Sequence, residues 1–183
     1  MEPHASDRDG SARGTRPSDR PRFRLEIDGT SRERTILSMG RPVVIDEDAF
    51  EVARVKAVDG PSGAEGAFDQ LEARLDALRG RKMYGVFYSG DPEEYFACLR
   101  LDSHESDDLG FERATVPGGL YGRMLVRDWG SRISEFPQIF DQLQSDLTGA
   151  GLHIDQARPS IESYRRIDEL VIMLPVVRSS SSK

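Results

Sequence analysis

The sequence predicts an α+β protein in which two β-α-β-β units form a pseudo-twofold arrangement of antiparallel sheet around a central ligand cleft. Three features predict it: two amphipathic helices of similar sequence, a strand-like segment before each helix, and a strand-turn-strand pattern after each. Each helix would cover one face of the sheet. A groove between two related halves is a natural place for a ligand.

The first helix is indicated by apolar residues at helical spacing, bounded by Ser62 as a candidate N-cap and Gly80 as a stop. Its apolar positions are Ala64, Ala67, Phe68, Leu71, Leu75 and Leu78. The second helix is predicted over 135–148, with Ser134 as its cap, Pro137 in the tolerant first turn and Gly149 at its end. Its stripe is Phe136, Ile139, Phe140, Leu143 and Leu147.

The helices themselves carry the clearest repeat. FDQLEARL at 68–75 and FDQLQSDL at 140–147 match at five of eight positions, and strand-like segments at 51–58 and 120–126 precede them. Chance matching of common helix residues is the alternative explanation.

The repeat continues after the helices. Residues 88–101 align with 164–177, and Gly90, Asp91 and Pro92 supply the turn of the first copy. Two β-α-β-β units follow from this alignment.

Composition excludes several functions. The formal net charge of −7 disfavours direct nucleic-acid binding, because the phosphate backbone requires a positive field. A single cysteine and three scattered histidines (His4, His104 and His153) predict no disulfide, no metal site and no cofactor. Cys98 lies in an apolar strand-like segment, which favours a core position over a nucleophile.

No apolar run approaches the roughly 20 residues that span a bilayer, and the polar N-terminus does not resemble a signal peptide. A soluble cytoplasmic protein without a membrane partner is therefore expected. Residues 1–22 and 178–183 are predicted to be disordered tails, because they carry too few apolar side chains to offset the entropy of ordering. Residues 23–42 are predicted to add a hairpin or strand, and the acidic run at 102–108 to be a solvated linker.

Three segments resemble one known family: YGVFYSGDPEEY at 84–95, VPGGLYGRMLV at 116–126 and PSIESYRRIDELVIMLPVV at 159–177. In their order and spacing they resemble the GyrI-like family of small-molecule-binding domains, which also serves as the effector-binding domain of multidrug-sensing transcription regulators. The resemblance covers 43–177. It implies two pseudo-symmetric units in one chain, enclosing a cleft lined by aromatic rings and acids, for flat, lipophilic and often cationic ligands.

The family pattern x-x-E-x-Y falls on Glu162 and Tyr164. A second acid that many members carry is missing here, since 171–175 reads VIMLP. Glu162 is therefore the predicted counter-ion of the ligand. The candidate aromatic contacts are Tyr84, Phe87, Tyr88, Tyr121, Trp129 and Tyr164. The alternatives are core packing for these rings and, for Glu162, an exposed ion pair with Arg165 or Arg166.

The resemblance implies a small-molecule-binding protein that sequesters or senses lipophilic, aromatic and cationic xenobiotics. No helix-turn-helix pattern precedes the domain, which favours a stand-alone member. The first alternative is a hydrolase of cyclopropanoid or other strained electrophilic xenobiotics, with Glu162 and Tyr164 as catalytic residues. The second alternative is a protein that modulates DNA gyrase through direct interaction.

Overall fold

The computed structural model describes residues 41–101 and 109–178. The predicted tail at 1–22, nearly all of the predicted hairpin at 23–42, the acidic run at 102–108 and residues 179–183 lie outside the described residues.

Nine β-strands and two α-helices form within the described ranges. The strands are β1 (Val43–Glu47), β2 (Phe50–Lys56), β3 (Met83–Tyr88), β4 (Glu94–Arg100), β5 (Glu112–Val116), β6 (Gly119–Arg127), β7 (Leu152–Ile154), β8 (Ser160–Arg166) and β9 (Glu169–Arg178). The helices are α1 (Ala64–Glu72), between β2 and β3, and α2 (Phe136–Gly149), between β6 and β7.

The sheet is antiparallel at every pairing of the described strands, in the order β1-β6-β9-β8-β3-β4-β2-β5, while β7 pairs with β9 outside this path. This confirms the predicted α+β class and the antiparallel sheet. β8 and β3 lie side by side at its centre, with α1 and α2 connecting strands on either side of them.

Chain connectivity shows that the sheet is curled. β1 and β2 lie towards opposite ends of the strand order, although only Asp48 and Ala49 connect them, and such a link spans about 11 Å at most. The β5–β6 turn approaches the same corner: a Cβ on Gly118 would lie 2.5 Å from the backbone nitrogen of Ala49. The two ends of the sheet therefore come close together, and the sheet forms a half-barrel.

The two faces of this half-barrel have separate cores. The concave side of the curled sheet, called the hollow face, carries a core of Phe50, Val52, Tyr84, Val86, Phe96, Cys98, Val116, Tyr121, Ile161, Val171 and Met173. The outer face carries one cluster under α1 (Ala57, Ala67, Leu71, Tyr95, Ala97 and Leu99) and another under α2 (Met124, Val126, Ile139, Leu143, Leu147, Leu170, Ile172, Leu174 and Val176). Because strand residues alternate between faces, every strand in the centre contributes to both cores.

Both predicted helices form, and α2 ends at Gly149 as predicted, with Ile139, Leu143 and Leu147 buried. α1 is shorter than predicted. It ends at Glu72, after which the chain makes two tight turns, with backbone bonds from Arg74 to Leu71 and from Leu75 to Glu72. Leu78 is 48% exposed, so no buried surface stabilises a further helical turn there.

The two predicted N-caps are wrong. A single 3₁₀ turn precedes each helix, so the residues that cap them are Gly63 and Glu135, and neither makes a side-chain cap. Ser62 lies inside the first of these turns, where its hydroxyl donates to the Asp59 carbonyl at 2.7 Å. Ser134 lies inside the second.

The predicted alignment of Tyr88 with Tyr164 is wrong. Tyr88 packs on the hollow face and Tyr164 on the outer face, whereas equivalent residues of related units would share a face. Cys98 is 1% exposed, which confirms its predicted core position, and burial raises the pKa of its thiol to about 12.

Candidate functional site

Glu162 occupies the centre of the outer face. It lies on β8 directly opposite Gly85 of β3, at the middle of the strand order. Its neighbour Ile161 packs into the hollow face, so alternation along β8 turns Glu162 and Tyr164 towards the helices. The carboxylate thus lies at the seam between the cluster under α1 and the cluster under α2.

Two tyrosine hydroxyls hold this carboxylate. Tyr95 of β4 donates to Oε2 of Glu162 at 2.6 Å, and Tyr164 of β8 donates to the same oxygen at 2.9 Å. The two hydroxyl oxygens are 3.5 Å apart. The three side chains therefore form one compact hydrogen-bonded group that joins strands on both sides of β3.

Aromatic rings from α1 and from the turn after β6 pack against this group. Phe68 of α1 contacts the Tyr164 ring edge-on, with centroids 5.2 Å apart. Trp129, in the 3₁₀ turn that follows β6, makes a second edge-on contact with the same ring at 5.1 Å. The walls of the seam are therefore aromatic on the α1 side and on the α2 side.

The electrostatics of Glu162 are unusual for a carboxylate. Protein atoms closely surround it, and this burial raises its pKa, against the opposing effect of the hydrogen bonds from Tyr95 and Tyr164. The residue nevertheless keeps part of its surface exposed. The carboxyl group is thus closely packed within the seam, while part of the residue stays in contact with solvent.

No lysine, arginine or histidine within 41–101 or 109–178 forms an ion pair with Glu162. The alternative of a surface ion pair fails, because Arg166 lies 3.6 Å from Glu169 instead, and Arg165 is exposed. Burial and the neighbouring carboxylate raise the pKa of the Tyr95 and Tyr164 hydroxyls far above the ordinary tyrosine value. Both tyrosines are therefore protonated donors at any physiological pH, facing a carboxyl group that lacks a cationic partner among these residues.

The remaining predicted aromatics divide between the faces. Phe87 lies on the outer face, beside the cluster under α1. Tyr84, Tyr88 and Tyr121 lie in the hollow core, and the structure does not bring them to Glu162. The Tyr84 ring packs at a tilt against Phe50, with centroids 4.9 Å apart, Tyr88 contacts Phe96, and the Tyr121 hydroxyl donates to the Pro117 carbonyl at 3.0 Å.

Sequence reasoning missed Tyr95 and Phe68 as members of the site. Tyr95 lies inside the 84–95 motif, and its alternation with Ala97 and Leu99 puts it on the outer face. This alternation indicates the face on which Tyr95 lies. Its contact with Glu162 depends on the strand order β4-β3-β8, which the local sequence does not contain.

Three further findings concern the described residues. They contain no group of three or more histidine, cysteine, aspartate or glutamate side chains suited to a metal ion. Neither of their α-helices is long and apolar enough to cross a membrane. An open surface depression of about 440 Å³, lined by Asp128, Gly130, Ser131, Ile167 and Asp168, borders the turn that carries Trp129.

Comparison with known proteins identifies the fold. No protein-family model matches the chain, and no curated protein matches it. Among solved structures, a hydrolase encoded by lin2189 from Listeria innocua aligns with a TM-score of 0.57 at 15% identity, covering 79% of this chain and 96% of that one. Another structure of a Listeria innocua hydrolase gives 0.53 at 15% identity, over 74% and 91%. SAV2435, solved bound to tetraphenylphosphonium, gives 0.53 at 11% identity, over 75% and 94%. At these identities the likeness concerns the fold.

Proposed function

We propose that the chain is a GyrI-like small-molecule-binding protein whose ligands are lipophilic aromatic cations, with Glu162 as their counter-ion. One observation carries the proposal: a closely surrounded carboxyl group lies beside aromatic rings on the outer face, without a cationic partner among the described residues. An anion in such a place costs free energy unless a cation approaches it. A bound cation would supply the missing charge.

The walls of the seam suit the same ligand class. Trp129, Tyr164 and Phe68 offer ring surfaces to an aromatic ligand, and a cation over such a ring gains about 0.5–2 kcal/mol. SAV2435, which shares the fold, was solved with tetraphenylphosphonium, a lipophilic cation. Sequestration or sensing of such compounds is the biological role that this binding would serve.

Strand order supports the proposal that the domain is duplicated. Reading outwards from the centre, β8, β9 and β6 on one side mirror β3, β4 and β2 on the other. α1 connects β2 to β3, and α2, followed by the short strand β7, connects β6 to β8. A shift of the alignment by one residue matches Gly85 with Glu162 and Phe87 with Tyr164, which share the outer face. In this alignment one unit carries the acid, Glu162, and the equivalent position of the other unit is Gly85, which has no side chain.

Titration calorimetry of the 183-residue protein with tetraphenylphosphonium tests the proposed function. Glu162→Gln is expected to weaken binding about 30-fold, since a carboxylate–cation pair near a protein surface contributes about 2 kcal/mol or more. Glu93→Gln is the matched control, because Glu93 is exposed in the turn before β4 and should leave the affinity unchanged. Equal binding by wild type and Glu162→Gln would refute the counter-ion role.

A second function, hydrolysis of strained electrophiles, is favoured by the contact of two hydroxyl donors with the carboxylate. Glu162 would take a proton from water, and the resulting hydroxide would attack a cyclopropane carbon of the substrate. The broken carbon–carbon bond would deliver its electron pair to the conjugated carbonyl, which receives a proton from Tyr164. Protonated Glu162 would then return its proton to that tyrosine, so that the net reaction adds one water.

Two of the structures that share the fold are hydrolases, which agrees with this second function without specifying a substrate. Mass spectrometry after incubation with a cyclopropane-bearing electrophile distinguishes it from binding alone. A water adduct that Tyr164→Phe abolishes would support catalysis. Unaltered compound, recovered at the rate of the uncatalysed control, would leave binding as the function.

A further inference from the structure

We propose that Gly85 is a positioning residue of the Glu162 site: its missing side chain lets the Tyr95 hydroxyl reach across β3 and hold Oε2, so that Oε1 is the oxygen offered to a ligand. This inference rests on the proposed function and extends it to the atom that meets the cation.

The strand order makes the crossing necessary. Tyr95 lies on β4 and Glu162 on β8, with β3 between them, so their hydrogen bond must pass over β3. Gly85 is the β3 residue directly opposite Glu162, and it pairs on its other side with Ala97, two residues after Tyr95. The Tyr95 ring therefore runs diagonally over Gly85.

No larger residue fits at this position. A Cβ on residue 85 would lie 2.0 Å from the Tyr95 hydroxyl oxygen, 2.7 Å from its Cζ and 2.6 Å from Oε2 of Glu162. These distances are far below van der Waals contact. Only glycine leaves room for the close approach of these side chains. The atoms that a Cβ would displace are those that form the hydrogen bond between Tyr95 and Glu162.

The two oxygens of Glu162 are not equivalent. Oε2 accepts both tyrosine hydroxyls, whereas Oε1 accepts no hydrogen bond from the part of the chain that the structure describes, and it is not completely buried. With Oε2 occupied, the lone pairs left for a ligand are those of Oε1. A cation that enters the seam meets this oxygen.

Among residues 41–101 and 109–178, few groups face Glu162. Tyr95 on β4 and Tyr164 on β8 are the titratable ones, while β3 presents Gly85 and β9 presents Ile172 opposite it. The helix side contributes the rings of Phe68 and Trp129 around Tyr164. A change at residue 85 therefore acts on the carboxylate through Tyr95 or by direct contact.

A ligand-free titration tests the positioning role. Glutamate labelled with ¹³C at the side-chain carboxyl is followed by NMR against pH, and the Glu162 signal is identified by its loss in Glu162→Gln. Tyr95→Phe removes a hydrogen bond to the charged form, so the midpoint should rise by about one pH unit. Gly85→Ala should raise it similarly, and in the Tyr95→Phe background it should add less, because only its direct contact with Oε2 remains.

The control is Gly66→Ala on α1, where a Cβ meets nothing within 4 Å and the midpoint should stay at the wild-type value. A wild-type midpoint in Gly85→Ala, or equal increments in both backgrounds, would overturn the proposal. If Gly85→Ala does not fold, the Tyr95→Ala background, which removes the obstructing ring, should restore folding; failure to restore it would also overturn the proposal.

Tetraphenylphosphonium binding gives the second readout. Affinity should fall about tenfold in Gly85→Ala and stay unchanged in Gly66→Ala. If the wild-type protein does not bind this cation, the proposed function fails, while the carboxyl titration still decides the role of Gly85.

Discussion

The hollow face and the outer face of the sheet are both rich in aromatic rings, but they differ in whether a charged side chain has a partner of opposite charge. On the hollow face, the Arg54 guanidinium lies 4.2 Å above the Phe96 ring and is hydrogen-bonded to Glu112, which raises the pKa of Arg54 and lowers that of Glu112. On the outer face, Glu162 has only neutral hydroxyl donors among the described residues. The charge of Arg54 is balanced by Glu112, whereas Glu162 has no such partner among the described residues.

Along β8, neighbouring residues therefore have different roles: one contributes to stability and the next is a candidate for function. Ile161 and Glu162 are adjacent on β8, yet the first fills the hollow core and the second faces the seam. A protein selected for stability alone would place an apolar residue at position 162, because a buried anion without a cation is costly. The outer face is therefore the one on which we expect ligand binding to depend.

The largest expected effect comes from the hollow face. Ile161 is 1% exposed, so Ile161→Ala should lower the free energy of unfolding by about 3 kcal/mol through lost burial and the cavity left behind. Its folded fraction should bind tetraphenylphosphonium within about twofold of wild type. Urea denaturation and calorimetry measure the two quantities. A large loss of affinity per folded molecule would show that the faces are not independent.

A smaller effect is expected at the aromatic wall. Trp129→Ala removes a ring that packs on Tyr164 and should weaken tetraphenylphosphonium binding about fivefold, the equivalent of about 1 kcal/mol. Trp129→Phe keeps a ring there and should retain most of the affinity. If alanine and phenylalanine behave alike in calorimetric titration, ring surface at this position does not contribute to binding.

The smallest effect concerns stability at the site itself. The raised pKa of Glu162 means that its protonated form stabilises the fold below the ordinary glutamate range near pH 4, and that this stabilisation is lost as pH rises through the raised value. Glu162→Gln is always neutral, so at pH 7 it should be more stable than wild type by about 1 kcal/mol. The difference should shrink towards zero in acid.

Thermal unfolding at a series of pH values measures this difference, with Glu93→Gln as the control that should follow wild type throughout. A Glu162→Gln variant that is less stable than wild type at pH 7 would show that the carboxylate is compensated by a charge within the protein.

Much of the architecture could be predicted from the sequence. Helical periodicity located both helices, because Leu71, Leu143 and the residues around them must bury one stripe each. Their caps could not be predicted, since Ser62 and Ser134 are good capping residues that lie in 3₁₀ turns instead. Local sequence does not reveal which of two competing turns the chain adopts.

The site could be predicted only in part. The motif pattern predicts Glu162 and Tyr164 as ligand-binding residues; the structure joins their side chains by a hydrogen bond, and their binding of a ligand stays a prediction. The strand segments do not show which aromatic residues share the face of Glu162, so the prediction also includes Tyr84, Tyr88 and Tyr121, which lie on the hollow face. A shift of one residue reverses the face of a strand residue. Tyr95 joins Glu162 across an intervening strand, and such contacts depend on strand order, which no local pattern contains. An interaction with DNA gyrase and a cytoplasmic location stay predictions.

Charge selectivity tests the central claim most directly. Tetraphenylphosphonium and tetraphenylborate have nearly the same size and shape and opposite charge, so calorimetric titration of the wild-type protein with each isolates the contribution of Glu162. Binding of the phosphonium with no detectable binding of the borate is the predicted result, and Glu162→Gln should bring the two affinities together. Equal affinity of the wild-type protein for both ions would contradict the account.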